Sequence, residues 1–207
     1  MAHDYADIAR QIGEPLLRYA DEDAYFWFME GVRELAEVSD EEAPAAFAQW
    51  LKAAVDRLDM LVDRETAVRV MQRNGRICAD MHRDHGEDVL RKRRQCKDLA
   101  AYIEAEAGLT REGDVVYSDY GLVPDPEGVR CYCSFWHPMP KEETVSPTWC
   151  NCAAGHAAAV WDQLVGEPVR VEVLESCMSG GDACRFAIHL PDGWRESEPR
   201  PAEGATE

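Results

Sequence analysis

The sequence predicts an α+β protein in which a helical N-terminal region packs on a small antiparallel sheet with one principal helix. Residues 4 to about 107 carry helical patterns, whereas the residues after about 110 alternate like strands around a single Ala-rich helix. Hydrophobic residues make up 46% of the 207 residues, enough to bury a core without disulfides. We therefore expect a helical region over 1–109, a cysteine-rich α+β domain over 110–192 and a disordered tail over 193–207.

The N-terminal region contains several segments with helical periodicity. Segment 21–38 includes an apolar run at 25–29, which predicts a buried helix. Segment 39–58 opens with Ser39 and Glu42 at the spacing of a capping box. Segments 63–86 and 87–108 each end at a glycine, so we expect Gly86 and Gly108 to terminate helices.

The C-terminal region reads as strands around one helix. "DVVYSDYG" (114–121) and "VRCYCSF" (129–135) predict two strands separated by a turn-rich stretch. "AAGHAAAVWDQLVGEP" predicts a helix that ends near Gly166 and Pro168. "VRVEVLESC" and "ACRFAIHL" predict two further strands, joined as a hairpin by "MSGGD". The acidic, Pro-containing tail over 193–207 is typical of disorder.

The charge balance limits the classes of partner. A formal net charge of -18 repels phosphate backbones and anionic lipid, so we expect neither nucleic acid nor a membrane as partner. The N-terminal residues lack the pattern of a signal peptide, and no run approaches the roughly 20 apolar residues of a membrane span. We expect a cytoplasmic location, where disulfides rarely persist.

Six of the eight cysteines lie between residues 131 and 184. They form the pairs Cys131/Cys133, Cys150/Cys152 and Cys177/Cys184. Two cysteines spaced by one residue in a strand lie too far apart to bridge each other. The last pair flanks the predicted hairpin, where cross-strand Cβ atoms lie about 4.5–5.5 Å apart, so both thiols could bind one ion.

Cys152 precedes the predicted helix, where backbone N–H groups and the helix dipole would favour its thiolate form. His156 follows one helical turn later and could act as a second ligand or as a general base. His137 precedes Pro138 in a loop and is the histidine best exposed for proton transfer. Three interpretations of the thiols stay open, namely a bound ion, a reactive cysteine and buried structural thiols.

The C-terminal motifs resemble known families. "CNCAAGHAAAVWDQLVGEP", followed by "VRVEVLESCMSGGDACRFAIHL", resembles the C-terminal half of the 4-vinyl reductase-type ligand-binding domains. For the zinc-binding members, this resemblance implies ligands at Cys152, Glu175, Cys177 and Cys184, with Cys150 as the alternative to Glu175. The ending "GGDACRF" also resembles aminothiazoline-carboxylate hydrolase-like proteins, which pair a helical N-terminal half with such a domain.

Two features of the helical region have simpler explanations. Asn74, Cys78 and His82 recur at four-residue spacing, a face that could bind an ion but that we expect to be an ordinary packed face. The basic run at 91–97 follows Glu87 and Asp88, which predicts ion pairs on a helix surface.

We expect a cytoplasmic domain that binds a small organic ligand or a metal ion, with zinc in a thiolate-rich site. One alternative is a hydrolase that opens a small heterocyclic C–N or C–S bond. Cys152 or a metal-bound water would then attack, and His156 or His137 would move the proton. A further alternative is a soft-metal handling or redox protein. The expected partners are a small organic ligand and, in a homodimer, a second copy of the chain.

Overall fold

The computed structural model describes residues 4–119, 131–140 and 142–194. These residues form eight α-helices and one four-stranded antiparallel sheet, which confirms the predicted α+β class. The helices are α1 (Tyr5–Gly13), α2 (Pro15–Tyr19), α3 (Glu22–Phe28), α4 (Ala43–Leu61), α5 (Arg64–Met81), α6 (Arg83–Arg94), α7 (Leu99–Ala105) and α8 (Asn151–Val165). The strands are β1 (Leu109–Glu112), β2 (Val115–Asp119), β3 (Arg170–Glu175) and β4 (Arg185–His189). Short 3-10 helices cover Val32–Ala36, Ser134–Trp136, Pro147–Cys150 and Cys177–Ser179.

The sheet has the strand order β1-β2-β4-β3, and each neighbouring pair is antiparallel. Val116 of β2 and Ile188 of β4 are paired residues of neighbouring strands, and both side chains are fully shielded from solvent. They share one core cluster with Trp161 and Leu164 of α8 and with Leu99 of α7. The principal helix α8 therefore covers one face of the sheet, as the sequence predicts.

A second core cluster joins the two halves of the chain. It contains buried side chains of the N-terminal helices, among them Phe28, Phe47 and Met71. Trp149 and Met178 from the C-terminal half belong to the same cluster. The helical region and the α+β region therefore share a hydrophobic core.

Helices α5 and α8 touch backbone to backbone at two glycines. A Cβ atom added at Gly75 would lie 1.9 Å from the carbonyl oxygen of Cys152, and one added at Gly155 would lie 2.1 Å from that of Gln72. Beside this contact, Arg76 pairs with Asp162 at 2.6 Å. No other residue type fits at the two glycine positions without separating the helices.

Two helical predictions, over 63–86 and 87–108, need correction. Gly86 does not end a helix, because α5 ends at Met81 and α6 begins at Arg83 and continues through Gly86. The bend occurs instead at His82, whose φ of -106° and ψ of 47° lie outside the helical region. Gly108, with φ of 82°, does follow a helix, but α7 is a short separate helix.

The apolar run at 25–29 is not buried as a whole. Phe28 is fully buried, whereas Phe26 is 69% and Trp27 is 51% exposed. Helix α3 has only seven residues and packs on α4 with one face, so the apolar side chains of its other face meet solvent.

The strand predicted over 129–135 is wrong for its described part. Residues 131–133 are not in a strand, and Ser134–Trp136 form a 3-10 turn, while residues 129 and 130 lie outside the described residues. Strand β1, which the sequence pattern did not indicate, occupies the edge of the sheet instead.

The segment predicted to be disordered, 193–207, contains a packed residue near its start. Trp194 donates a hydrogen bond from Nε1 to the carbonyl oxygen of Val165 at 3.2 Å, which attaches it to the end of α8. Residues 195–207 lie outside the described residues.

Within the described ranges, none of the helices combines the length and the hydropathy that a membrane-spanning segment needs.

The close approach of α5 and α8 predicts a large effect of one methyl group. Gly75→Ala places its Cβ against the backbone of α8, and we expect the free energy of unfolding to fall by about 1–3 kcal/mol or more. Urea denaturation followed by tryptophan fluorescence measures this change. Gly86→Ala is the matched control, since its Cβ would meet only Val160 at 3.9 Å. The helix propensity of alanine should leave that variant as stable as the parent or more stable. A Gly75→Ala protein of unchanged stability would contradict the helix contact.

Candidate functional site

Seven of the eight cysteines lie together where four segments of the chain meet. The segments are α5, the turn at 131–136, the start of α8 and the connection between β3 and β4. We call these residues the thiol cluster: Cys78, Cys131, Cys133, Cys150, Cys152, Cys177 and Cys184. Cys96, after α6, is not part of the cluster.

Aromatic packing holds the turn that carries Cys131 and Cys133. The ring of Phe135 lies 5.0 Å from that of Phe47 on α4, and Trp136 meets Trp149 edge to face at 5.2 Å. These ring contacts bind the turn to the N-terminal helices and to the start of α8. The imidazole Nε2 of His137 lies 3.1 Å from the carbonyl oxygen of Cys131, which adds a polar contact within the turn.

Asp59 of α4 holds the segment that leads into α8. Its carboxylate accepts hydrogen bonds from the hydroxyl groups of Ser146 and Thr148, the latter at 2.6 Å. The 3-10 turn Pro147–Cys150 follows directly, and Cys150 is the N-terminal flanking residue of α8. A carboxylate of the helical half therefore fixes where the Cys150/Cys152 pair enters the cluster.

Hydrogen bonds join the β3–β4 connection to the same place. The backbone N–H of Val145 donates to the carbonyl oxygen of Met178 at 2.8 Å, and the Ser179 hydroxyl donates to that of Val145 at 3.1 Å. The Cys150 sulfur lies 2.7 Å from the hydroxyl oxygen of buried Ser176. Ser176 is thus a contact of the cluster that sequence reasoning did not single out.

Glu175 already has partners within the protein. Its carboxylate accepts the backbone N–H groups of Asp182 at 2.7 Å and Ala183 at 3.3 Å, and it pairs with Arg185. The Asp182 N–H and the Arg185 charge lower the pKa of Glu175, so the carboxylate is ionised and compensated without a metal. Glu175 as a metal ligand stays a prediction, and these contacts give it another role, closing the β3–β4 connection.

The thiols of Cys133, Cys150 and Cys152 are neutral rather than activated. Burial raises the pKa of Cys150 to about 11 and that of Cys133 to about 12. Burial, with repulsion from Cys133 and Cys78, raises the pKa of Cys152 well above the usual range. The expectation that the start of α8 favours the Cys152 thiolate is therefore wrong, because desolvation outweighs the helix dipole at this position. A metal-free Cys152 is a poor nucleophile.

Two pairs of cysteines make hydrogen bonds within the pair. Cys177 and Cys184 are hydrogen-bonded to each other, and burial followed by this bond raises the pKa of Cys177 to about 12. Cys177 lies in a 3-10 turn and Cys184 just before β4, so the hairpin region brings them together although neither is in a strand. In the other pair, the backbone N–H of Cys133 donates to the Cys131 sulfur at 3.4 Å.

Four thiols of the cluster influence one another most directly. Cys131 and Cys184 are the main thiol neighbours of Cys150, and the same two are those of Cys177. We call these four residues the four-thiol group. Cys133 and Cys78 are the leading thiol neighbours of Cys152, and Cys131 precedes Cys78 and Cys150 among those of Cys133. Cys131 and Cys150 therefore connect the four-thiol group to the remaining thiols of the cluster.

As the side chains stand, no three His, Cys, Asp or Glu residues of the described ranges are arranged to hold a metal ion. A cysteine has a single side-chain torsion with three staggered wells, so sulfur atoms can change place without movement of the backbone. Two surface pockets of about 530 and 480 Å³ lie beside α4 and at the outer end of β4, and no cysteine lines either of them. A small organic ligand at the cluster therefore stays a prediction.

The two histidines proposed for catalysis, His156 and His137, have contacts of their own. His156 packs its ring 5.6 Å from that of His85 of α6, and His82 lies close enough to influence its charge. His137 lies on the turn that carries Cys131. Proton transfer by either residue stays a prediction.

The face formed by Asn74, Cys78 and His82 is partly an ordinary packed face. Asn74 is buried and donates from Nδ2 to the carbonyl oxygen of Ile12 at 2.9 Å. Cys78, however, joins the thiol cluster. Its membership was not predictable from its spacing, because the α5–α8 contact creates it.

The basic run forms surface ion pairs, as its spacing predicts. Arg91 pairs with Asp88 one turn earlier, and Lys92 pairs with Glu106 at 3.3 Å.

Raised thiol pKa values predict slow alkylation of the metal-free protein. At about pH 8 each unit of raised pKa lowers the reactive thiolate fraction about tenfold, so Cys150 should react with iodoacetamide roughly a hundredfold more slowly than in the unfolded chain. Mass spectrometry of tryptic peptides measures the rate at each cysteine, with and without urea. Rapid labelling of Cys152 in the folded protein would instead support the nucleophile hypothesis.

The surroundings of His156 predict acid destabilisation. Burial, and then His85 and His82, lower the pKa of His156 below its ordinary value, so the unfolded chain takes up this proton at a higher pH than the folded protein. Stability should therefore fall as the pH drops through about 6.5. Urea titrations between about pH 7.5 and 5.5 measure it, and His156→Gln should show a flatter dependence. Parallel curves for both proteins would exclude His156 as the cause.

Comparison with known proteins gives one finding. No curated protein and no solved structure matches the chain. A family model described as "Family of unknown function (DUF6144)" matches residues 33–193. This family is neither of the two that the C-terminal motifs resemble, and those resemblances stay predictions. The match covers well over half of the sequence, including the whole thiol cluster, and the chain therefore belongs to the DUF6144 family.

Proposed function

We propose that the protein binds a soft metal ion through the thiol cluster, with zinc as the principal ion, in a reducing compartment such as the cytoplasm. The observation that carries this proposal is the convergence of seven cysteine side chains from four separate segments. Packing alone does not require cysteine at so many positions, since alanine or valine fills a core as well. Thiolates are the preferred protein ligands of zinc and other soft ions.

The ligands that we propose for zinc are the four-thiol group, Cys131, Cys150, Cys177 and Cys184. Three of them belong to the ligand candidates drawn from the sequence. We take Cys131 as the fourth because it neighbours both Cys150 and Cys177, whereas the carboxylate of Glu175 is engaged by Arg185 and by backbone N–H groups. Four thiolates around one ion form the closed tetrahedral arrangement of a structural zinc site.

A backbone N–H group favours the thiolate form at this end of the cluster. The Cys133 N–H donates to the Cys131 sulfur, and such bonds stabilise thiolate over thiol. Binding of zinc would displace the thiol protons and offset the charge of the thiolates, which makes metal affinity dependent on pH.

This proposal assigns the ion a structural task. A zinc ion held by the four-thiol group would join the turn at 131–136, the start of α8 and the β3–β4 connection. The hydrolase alternative needs an activated cysteine or an open coordination position, and the raised pKa of Cys152 runs against the first of these.

Metal analysis of variants tests the proposal. Protein purified anaerobically without chelators should contain about one zinc per chain by mass spectrometry. Cys177→Ser and Cys184→Ser should each weaken zinc binding at least about tenfold, because each removes a ligand. Chelation of zinc from the parent protein should lower its melting temperature.

Two matched variants make this test specific. Cys96→Ser removes a thiol outside the cluster and should retain zinc. Glu175→Gln keeps the shape of the side chain and should also retain zinc. Loss of zinc in Glu175→Gln alone would favour the ligand set that the family resemblance implies. Equal zinc content in the parent, Cys177→Ser and Cys184→Ser proteins would overturn the proposal.

A further inference from the structure

Helix α3 presents two large aromatic side chains to solvent. Phe26 is 69% and Trp27 is 51% exposed, and their rings meet edge to face with centroids 5.8 Å apart. Isolated exposed apolar residues are common in soluble proteins, but two adjoining aromatic rings on one helix form a continuous apolar surface. Tryptophan is also among the residue types that contribute most to binding at protein interfaces. The two rings therefore have the composition of a contact surface.

Carboxylates accompany the two rings on the same side of α3. Glu22 precedes Phe26 by four residues and Asp23 precedes Trp27 by four, a spacing that makes side chains neighbours on a helix surface. Both acidic residues are exposed, and no cation of the described ranges forms an ion pair with either of them. We call Glu22, Asp23, Phe26 and Trp27 the α3 face. It combines unpaired negative charge with apolar area.

The opposite side of α3 is fixed in the helical core. Phe28 is fully buried and meets Trp50 edge to face at 5.9 Å. Arg57 donates hydrogen bonds to the carbonyl oxygens of Phe28 and Glu30, at 3.0 and 2.9 Å, and Trp50 Nε1 donates to the latter at 2.9 Å. These contacts keep the α3 face turned outward. A surface that is already ordered loses little conformational entropy when a partner binds.

The charge of the α3 face distinguishes between possible occupants. In a symmetric contact with a second copy of the chain, the same carboxylates would meet each other, and like charges at an interface are costly. An anionic membrane is repelled for the same reason. A neutral apolar partner would cover Glu22 and Asp23 without pairing them, which carries a desolvation cost. A cationic partner avoids these costs.

We propose that the α3 face binds a segment of a partner protein that carries arginine among apolar residues. A guanidinium group can stack on an aromatic ring and donate hydrogen bonds to a carboxylate at the same time. The formal net charge of -18 attracts such a segment from a distance and speeds its association. None of the four residues belongs to the thiol cluster, so this inference goes beyond the zinc proposal and does not depend on it.

Fluorescence anisotropy with short labelled peptides and the full-length protein tests this inference. The probes are a peptide of arginine, leucine and alanine, a version with glutamine for arginine, and a version with serine for leucine. We expect the arginine–leucine peptide to bind most tightly at physiological salt. Phe26→Ser and Trp27→Ser should each weaken its binding at least about tenfold, because each removes a central contact. Glu22→Gln combined with Asp23→Asn should weaken the binding and reduce its dependence on salt.

Matched variants separate the α3 face from the acidic surface as a whole. Glu87→Gln combined with Glu104→Gln removes two exposed charges from α6 and α7, and Leu174→Ser removes a 50% exposed apolar side chain from β3. Both proteins should bind the peptide as the parent does. Because Phe26 and Trp27 are exposed, their serine variants should also keep a melting temperature close to that of the parent.

Three outcomes would overturn the proposal. Equal peptide binding by the parent, Phe26→Ser and Trp27→Ser proteins would show general adhesion to the acidic surface. Failure of the arginine–leucine peptide to bind the parent would reject the site directly. Self-association of the parent in sedimentation experiments, lost in Trp27→Ser, would assign the α3 face to a second copy. Circular dichroism identifies a serine variant that fails to fold, and the exposed pair Glu22→Gln and Asp23→Asn then carries the test.

Discussion

The backbone contact between α5 and α8 at Gly75 and Gly155 is the constraint on which the rest of the structure depends. It allows α8 to lie against the N-terminal helices with one side while Trp161 and Leu164 on the other side cover the sheet. One helix thereby joins both cores, and the start of that helix carries Cys150 and Cys152 into the junction. Helices at an ordinary separation of 8–10 Å would leave room for side chains between them and would separate Cys78 from α8.

Burial then determines the chemistry that the thiols can perform. Neutral thiols are small and weakly polar, so a core can contain several of them at little cost. Thiolates in the same place would repel one another and lose hydration, which is why the pKa of Cys133 is about 12. A cation reverses this balance because it replaces the protons and compensates the charge. This is the physical reason why we propose ion binding rather than nucleophilic attack, for which a thiol with a lowered pKa is needed.

Charged groups of the cluster region are compensated by protein partners instead. Glu175 is satisfied by Arg185 and the N–H groups of the β3–β4 connection, and Asp59 by two hydroxyl groups. These carboxylates position the segments that carry the cysteines. The carboxylates lie where water and hydrogen-bond donors are available, whereas the sulfur atoms occupy the apolar interior. This placement avoids the cost of burying an uncompensated charge.

The sequence by itself determined the α+β class, the course of β3 and β4, and the end of α8 at Gly166, because periodicity, turn residues and a left-handed glycine act locally. It also predicted that Cys177 and Cys184 approach each other, because the two residues flank a short connection between neighbouring antiparallel strands. Only the tertiary structure decided that Cys78 joins the cluster and that Cys152 is a neutral thiol. It also decided that Phe26 and Trp27 face solvent. Each of these outcomes depends on whether a distant part of the chain covers the residue and removes it from water. The residues nearby in the chain do not determine that.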